Sequence, residues 1–214
     1  MPRTTEQETF WEGDFGDAYV ERNTGRERIA ANTALFSRIL SHTGPIRSVL
    51  ELGSNIGLNL LALRQLLPEA GLAAVEINAK AADALQAALP EVDLYRMSIL
   101  DFRPHATWDM VFTKGVLIHI APEELPAVYQ LMYDSASRYV LLSEYYNPTP
   151  VEVPYRGHAG KLFKRDFAGE LLDRFPDLSL AAYGFAYHGD PHFPQDDMTW
   201  FLLEKRQTSS GSST

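Results

Sequence analysis

The sequence predicts an α/β sandwich, in which one mostly parallel sheet of seven strands carries helices on both faces. The first observation is that short apolar strands alternate with helical segments from residue 48 to residue 175. Alternation at this spacing produces parallel strands joined by right-handed crossovers. The second is that a polar loop, 188–197, is all that separates the last two strands. A connection that short suits an antiparallel pair, so we expect the final strand to run against the others.

Each element follows from its local pattern. Ahead of the Gly44-Pro45 break, apolar residues at helical spacing predict a helix over 29–40. Apolar runs after the break predict strands over 48–52, 72–77, 94–98, 108–113, 139–144, 178–187 and 199–204. Helices are predicted over 58–67, 79–88, 122–135 and 164–175, with Pro122 at the start of the third.

Composition limits the kinds of protein that this chain can be. Its 214 residues, 45% of them hydrophobic, suffice for one domain with a single core. The sequence has no cysteine, which excludes disulfide scaffolds, thiolate metal sites and thiol nucleophiles. Its formal net charge of -9 argues against a general nucleic-acid-binding protein, because such a protein needs a basic surface. We therefore expect a small-molecule ligand and no nucleic-acid partner.

The N-terminal region differs in pattern from the rest of the chain. We divide the sequence into a helical lid or cap segment, 1–44, a main domain, 45–206, and a flexible polar tail, 207–214. Trp11, Phe15 and Tyr19 recur at helical spacing and predict a helix that docks on the core. The acidic first residues do not resemble a signal peptide, and no apolar run approaches the ~20 residues that cross a bilayer. We expect a cytoplasmic monomer or homodimer without a membrane partner.

The topology predicts where a ligand binds. In an open α/β sheet, ligands lie beyond the carboxyl ends of the parallel strands. Six segments follow predicted strands and should therefore border one cleft, and most of the unusual polar and aromatic residues fall in them. They are 53–57, 77–78, 98–101, 114–119, 145–158 and 188–197.

The segment 49–58 joins a strand, a glycine loop and a helix. It lacks the G-x-G-x-x-G triplet that receives a pyrophosphate at a helix N-terminus. Instead, Glu51 precedes the first glycine, Gly53, where a carboxylate would repel a diphosphate and attract an amine or another cation. Glu76 ends the second strand, where it can accept both hydrogen bonds of a ribose diol. A ligand with a ribose and a positive group but no pyrophosphate fits this pattern, as S-adenosylmethionine does.

These residues resemble the class I S-adenosylmethionine-dependent methyltransferases, which have a Rossmann-like fold. The resemblance rests on Glu51-x-Gly53-x-Asn55-x-Gly57, on Glu76 and on 108–120, and it covers about residues 45–206. Asn55 departs from the family pattern, which usually has a glycine there, but asparagine can also adopt a left-handed conformation. Segments 12–23, 51–57 and 188–205 further resemble the methyltransferases that accompany pseudaminic acid biosynthesis genes.

The resemblance implies which residues bind the cofactor. Ser98 and Ile99 would bracket the adenine, Lys114 would contact the cofactor through its backbone and the substrate through its side chain, and Arg22 would pair with the cofactor carboxylate from the lid. The predicted cofactor set is Tyr19, Arg22, Glu51, Gly53, Asn55, Gly57, Glu76, Ile77, Ser98, Ile99 and Lys114.

Catalysis and acceptor binding are assigned to the remaining polar residues of the cleft. His119 is a candidate general base, since the ordinary pKa of histidine is near 6.5; the alternative is that it packs against the cofactor or caps the next helix. No metal site is predicted, because the spacing of His188, Asp190 and His192 is weak evidence for one. The predicted acceptor set is Tyr145, Tyr146, Tyr155, Arg156, His158, Lys161, His188 and His192.

The sequence thus predicts methyl transfer from S-adenosylmethionine to an O or N atom of a small polar acceptor, by in-line displacement in a lidded cleft. Two alternatives remain open. A nucleotide-dependent oxidoreductase is disfavoured by the missing glycine triplet and the antiparallel last strand. A non-catalytic S-adenosylmethionine-binding protein is disfavoured by the many polar residues on the acceptor side.

Overall fold

One seven-stranded sheet organises the protein. The computed structural model describes residues 5–22, with no account of the Arg22 side chain, and residues 25–206. The nine strands are β1 (Ser48–Leu52), β2 (Gly71–Glu76), β3 (Asp93–Arg96), β4 (Trp108–Lys114), β5 (Ala136–Glu144), β6 (Val151–Glu152), β7 (Phe163–Lys164), β8 (Leu178–Ala186) and β9 (Met198–Lys205). The main sheet has the order β3-β2-β1-β4-β5-β9-β8, and β9 is antiparallel to both of its neighbours. The predicted fold class is confirmed.

Helices cover both faces of this sheet. They are α1 (Glu6–Glu12), α2 (Asp14–Arg22), α3 (Arg26–Leu40), α4 (Leu58–Leu66), α5 (Ala79–Ala88), α6 (Leu125–Ser135) and α7 (Phe167–Arg174). One core cluster joins the sheet to α6 and α7 through residues such as Met132 and Leu171. A second cluster joins the other face to α3, α4 and α5 through residues such as Phe36, Leu63 and Leu85. These two clusters make the chain a three-layer sandwich, and none of the described helices is long and apolar enough to cross a membrane.

Two helix starts were predicted too early. Helix α6 begins at Leu125, not at Pro122, and Pro126 lies in its first turn. Helix α7 begins at Phe167, not at Lys164, because Asp166 caps it by accepting a hydrogen bond from the Gly169 N–H. Lys164 belongs instead to β7, which pairs with β6 in a small hairpin that was not predicted.

The predicted N-terminal aromatic stripe spans two helices. A capping box formed by Thr5 and Glu8 starts α1, and the chain bends at Gly13 before α2 begins. The stripe survives this bend, since the Trp11 ring lies 5.4 Å from Phe15 and 5.3 Å from Tyr19. Helix α3, the last element of the predicted lid segment, packs instead in the sandwich.

Candidate functional site

A cavity of about 490 Å³ opens at the carboxyl ends of β1, β2 and β4. The glycine loop after β1, the turns after β2 and β3, and the segment after β4 form its floor and walls. Trp11, Tyr19 and Val20 from the N-terminal helices and Gln195 from the last loop also line it. The residues that were predicted for the site and do line this cavity are Tyr19, Gly53, Asn55, Glu76, Ile77, Ser98, Ile99, Lys114, His119, Tyr145, Tyr155 and His188.

The glycine loop has a left-handed backbone at three positions. Gly53 has φ 77°, Asn55 φ 48° and Gly57 φ 79°. Asparagine at position 55 thus adopts the conformation that was expected of it. At Gly53 a Cβ atom would lie 2.7 Å from Val116 Cγ2, and at Gly57 it would lie 2.9 Å from Leu85 Cγ. These glycines therefore serve both the turn and the close packing of the loop against α5 and the segment after β4.

We expect Gly53→Ala to destabilise the protein by about 2 kcal/mol, because it adds both left-handed backbone strain and the contact with Val116. Gly160 is the matched control, since it has φ 68° and no heavy atom within 4 Å of an added Cβ. Gly160→Ala should cost about 1 kcal/mol, the backbone strain alone. Urea unfolding of both variants measures the difference. Equal losses would show that the close approach to Val116 contributes nothing.

The Glu76 carboxylate holds the glycine loop against β2. It is buried at the end of β2, where its oxygens accept hydrogen bonds from the Asn55 N–H (2.6 Å) and the Asn78 N–H (2.8 Å). Burial raises its pKa, while the backbone hydrogen bonds act in the opposite direction. Each carboxylate oxygen has a further lone pair, so Glu76 can still accept hydrogen bonds from a ligand in the cavity.

Glu51 lies beneath the loop and does not line the cavity. Its side chain is fully buried, and Oε1 accepts a hydrogen bond of 2.6 Å from Asn59 Nδ2. Burial raises the pKa of Glu51 to about 8. Among the described residues, Glu51 Oε2, Asn55 Oδ1 and Asn59 Oδ1 have no hydrogen-bond partner. Buried acceptor oxygens without donors are costly, so this part of the site is set for a ligand that donates hydrogen bonds.

His119 lies on the short 3-10 helix that follows β4, covered by aromatic rings. Its ring centre is 4.7 Å from that of Trp11 and 4.9 Å from that of Tyr155. Nδ1 lies 2.6 Å from the Lys161 carbonyl oxygen, which can only accept, so Nδ1 carries the proton and Nε2 keeps a lone pair. Burial lowers the pKa of His119 to about 4, and the imidazole is neutral at pH 7.

Glu144 was not predicted as a site residue, yet it organises the segment after β4. It is buried at the end of β5 and accepts hydrogen bonds from the backbone N–H groups of Val116, Leu117 and Ile118. Burial raises its pKa to about 7. Glu76 was identified as an acidic residue at the end of a buried strand. Glu144 has the same position on β5, so the same pattern could have identified it.

The N-terminal helices α1 and α2 are tied over the cavity by Asn78. The side-chain oxygen of Asn78 caps α5 by accepting from the Ala81 N–H, while Nδ2 donates to the Trp11 carbonyl (3.2 Å) and to Asp17 Oδ1 (2.9 Å). Gly16 packs so closely that an added Cβ would overlap the Trp11 carbonyl oxygen. We call residues 5–22 the lid.

The lid also contacts the segment after β5. The Lys161 ammonium is buried, donates to Glu6 Oε1 at 2.7 Å, and lies 5.3 Å from the centre of the Phe10 ring. His158 lies 5.2 Å from the same ring. The structure therefore places both residues, which were predicted to bind the acceptor, between the lid and this segment and outside the cavity lining.

Several other predicted residues also lie outside the cavity lining. Tyr146 contacts Phe201 with ring centres 5.9 Å apart, and the His192 N–H donates to Asp190. Arg156 lies over the Tyr155 ring, and the Arg22 side chain falls outside the described residues. The residues predicted for the site and absent from its lining are Glu51, Gly57, Tyr146, Arg156, His158, Lys161 and His192.

Sequence reasoning missed the pair that closes one side of the cavity. Gln195 Nε2 donates to Asn32 Oδ1 at 3.0 Å, and both side chains are buried. The pair joins the last loop to α3. Neither residue belongs to a motif, so no local signal identifies them.

Comparisons with known proteins are consistent with this geometry. No protein-family model matches the chain, and no curated protein matches it. Solved structures do match: DesVI of Streptomyces venezuelae shares 15% identity with a TM-score of 0.63, covering 90% of this chain and 98% of DesVI. The magnesium protoporphyrin IX methyltransferase ChlM of Synechocystis PCC 6803, with bound S-adenosylhomocysteine, shares 14% identity with a TM-score of 0.66, covering 92% and 97%.

A third match is CalS10, an amino pentose methyltransferase of Micromonospora echinaspora, whose structure contains S-adenosylmethionine. It shares 13% identity with a TM-score of 0.61, covering 89% of this chain and 96% of CalS10. Each likeness spans about nine tenths of this chain and nearly the whole of the matched chain. The protein has the Rossmann-like fold of the class I methyltransferases.

Proposed function

We propose that this protein is an S-adenosylmethionine-dependent methyltransferase that modifies an O or N atom of a small polar acceptor. The observation that carries the proposal is the pair of unpartnered buried oxygens, Asn55 Oδ1 and Asn59 Oδ1, on two residues that line the cavity at the glycine loop, with the Glu51 carboxyl group behind Asn59. A phosphate would be repelled by these oxygens, whereas the ammonium of the cofactor's amino acid end would donate hydrogen bonds to them. The solved structures that share the fold and contain this cofactor or its demethylated form support the same cofactor assignment.

Different residues of the cavity have different proposed roles in the reaction. Glu76 is placed to accept hydrogen bonds from the ribose hydroxyls, and the Ser98-Ile99 turn lines the cavity where the adenine would lie. The lid covers the cavity and would exclude water while the acceptor is aligned. When bound, the cofactor supplies an electrophilic methyl group. The protein's task is therefore mainly alignment.

Isothermal calorimetry tests the cofactor assignment. We expect S-adenosylmethionine and S-adenosylhomocysteine to bind, and Glu76→Gln to weaken both by at least tenfold, because the amide loses charge-assisted acceptor capacity and disturbs the loop. Glu123→Gln is the control, since Glu123 is exposed. Absence of binding by the unaltered protein, or binding of a reduced nicotinamide cofactor instead, would contradict the proposal.

We propose His119 as the group that receives the acceptor proton, through Nε2. Because its pKa is about 4, it is a weak base at pH 7, and we expect Asn in its place to lower kcat by roughly tenfold, less than the 10²–10⁴ of a well-matched base. His119→Asn keeps a donor near the Lys161 carbonyl, so the affinity for S-adenosylhomocysteine should stay within a few-fold. The pH profile should show no inflection from His119 between pH 6 and 8. An unchanged kcat in His119→Asn would overturn this assignment, and an inflection between pH 6 and 8 that disappears in the variant would contradict the lowered pKa of His119.

The acceptor class is inferred from the lining and from the names of similar structures. CalS10 is an amino pentose methyltransferase, and one structure of the plantazolicin methyltransferase BpumL is a complex with a pentazolic desmethylPZN analogue and S-adenosylhomocysteine. A cavity of about 490 Å³ favours a small molecule here too. The resemblance to methyltransferases associated with pseudaminic acid biosynthesis, the cytoplasmic location and the monomeric or homodimeric state remain predictions.

A further inference from the structure

We propose that the acceptor carries an anionic group, a carboxylate or a phosphate, and that the Lys114 ammonium binds it. The inference rests on the proposed methyltransferase function and adds the chemical class of the acceptor to it. Lys114 is the last residue of β4, and its side chain lines the cavity at the centre of the sheet edge. The Lys114 ammonium therefore shares this cavity with His119.

Lys114 differs from the other four lysines in having no direct partner. Lys80 pairs with Glu21 at 2.8 Å and Lys161 with Glu6 at 2.7 Å, while Lys205 donates to the Tyr133 carbonyl at 2.7 Å. Lys164 lies 5.0 Å from the centre of the Tyr145 ring. Within the described ranges, no carboxylate oxygen lies within 4.0 Å of the Lys114 ammonium, and no hydrogen bond to it is formed.

The described surroundings of Lys114 contain no carboxylate in direct contact with its ammonium. Burial lowers its pKa, and the carboxylates of Asp196, Glu51 and Glu144 oppose this effect from a distance. Lys114 is partly buried, and an ammonium that has lost part of its water and gained no partner is less stable than a paired one. An anionic group at hydrogen-bonding distance would supply the missing partner.

The acceptor is the better source of this anion than the cofactor. Asp196, in the last loop, is the strongest charged influence on Lys114, ahead of Glu51 beneath the glycine loop. Asp196 also acts on Tyr145, which lines the same cavity and whose pKa is raised to about 12, chiefly by burial. This phenol stays protonated and can donate a hydrogen bond. An ammonium and a phenolic donor in one cavity form a receptor for an anion on the acceptor side.

Ligand-observed NMR on protein saturated with S-adenosylhomocysteine tests the proposal. The probes are glucuronate, glucose 6-phosphate and neutral glucose, which share one ring and differ in charge. We expect at least one anionic probe to bind at least tenfold more tightly than glucose, and Lys114→Met to abolish this preference. Lys80→Met is the matched control and should leave the preference unchanged, because Lys80 lies on the surface and pairs with Glu21.

The two anionic probes distinguish a carboxylate receptor from a phosphate receptor, and preference for either supports the proposal. Equal binding of all three probes, no binding of any, or an anion preference that survives in Lys114→Met would overturn it. Calorimetry with S-adenosylhomocysteine tests two further possibilities, namely that Lys114 binds the cofactor and that the protein does not bind this cofactor at all. A loss of more than tenfold in Lys114→Met would assign the ammonium to the cofactor carboxylate and reject the acceptor role. Failure of the unaltered protein to bind S-adenosylhomocysteine would instead reject the proposed function.

Discussion

Replacing Glu51 with glutamine is expected to stabilise the ligand-free protein above pH 7 and to weaken binding of the cofactor. Glu51 is fully buried, and burial raises its pKa from 4.5 to about 8. A carboxyl group whose pKa is higher in the folded state contributes stability that is complete below pH 4.5. That contribution is lost as the pH rises through the folded pKa near 8. Glutamine mimics the protonated acid and cannot lose a proton.

The size of this effect follows from the shift. Each unit of pKa difference corresponds to about 1.4 kcal/mol, so by pH 8 the wild-type protein has lost roughly 4 kcal/mol that Glu51→Gln retains. For a chain of this length that amounts to roughly 8–16 °C in Tm. Melting curves from pH 5 to pH 9 measure the difference. Glu144, whose pKa is also raised, is present in both proteins and cancels in the comparison.

The Glu51→Gln substitution should lower the affinity for the cofactor, although it stabilises the ligand-free protein. At pH 7 Glu51 is mostly protonated, and an ammonium placed near Oε2 would lower its pKa and release the proton. The wild-type binding enthalpy should therefore depend on the ionisation enthalpy of the buffer, while that of Glu51→Gln should not. The variant should bind at least tenfold more weakly. A pH-independent difference in Tm, together with unchanged affinity, would show that Glu51 is a structural residue only.

The features predicted best from the sequence are those that depend on residues adjacent in the chain. Strand β1 and helix α5 begin and end at the predicted residues, because an apolar run and an alanine-rich segment carry their own boundaries. The glycine loop and Glu76 follow from one strand–loop–helix pattern and the strand after it. These local features placed the cavity and most of its floor.

Contacts between segments that are far apart in the sequence could not be predicted from local patterns. Lys161 looked like an acceptor-binding cation in the sequence, but its partner is Glu6, 155 residues away. The pair of Gln195 and Asn32 is separated by 163 residues. The charge of a residue can be identified from the sequence. The partner that neutralises it depends on where the lid packs in the folded chain. Lys114 and Lys161 could therefore be distinguished only in the folded chain.

Asn78→Asp should detach the lid while preserving the fold beneath it. Aspartate caps a helix as well as asparagine does, so α5 should keep its cap. The variant loses the donor to the Trp11 carbonyl and places a second carboxylate against Asp17, whose Oδ1 now lies 2.9 Å from Nδ2. Loss of one buried hydrogen bond and the new repulsion should lower the affinity for S-adenosylhomocysteine by 10- to 100-fold, about 1.4–2.7 kcal/mol. Limited proteolysis should then cut within residues 5–22.

The same substitution also brings a charge near Glu76, which accepts from the backbone of residue 78 and could be disturbed directly. The double variant Asp17→Asn with Asn78→Asp separates the two causes. It restores one donor and one acceptor across the lid contact but leaves the charge near Glu76. Recovery of most of the lost affinity and of protease resistance would show that the lid contact controls binding. Persistent loss of affinity with a protected lid would assign the effect to Glu76, and the lid would then serve only to exclude water.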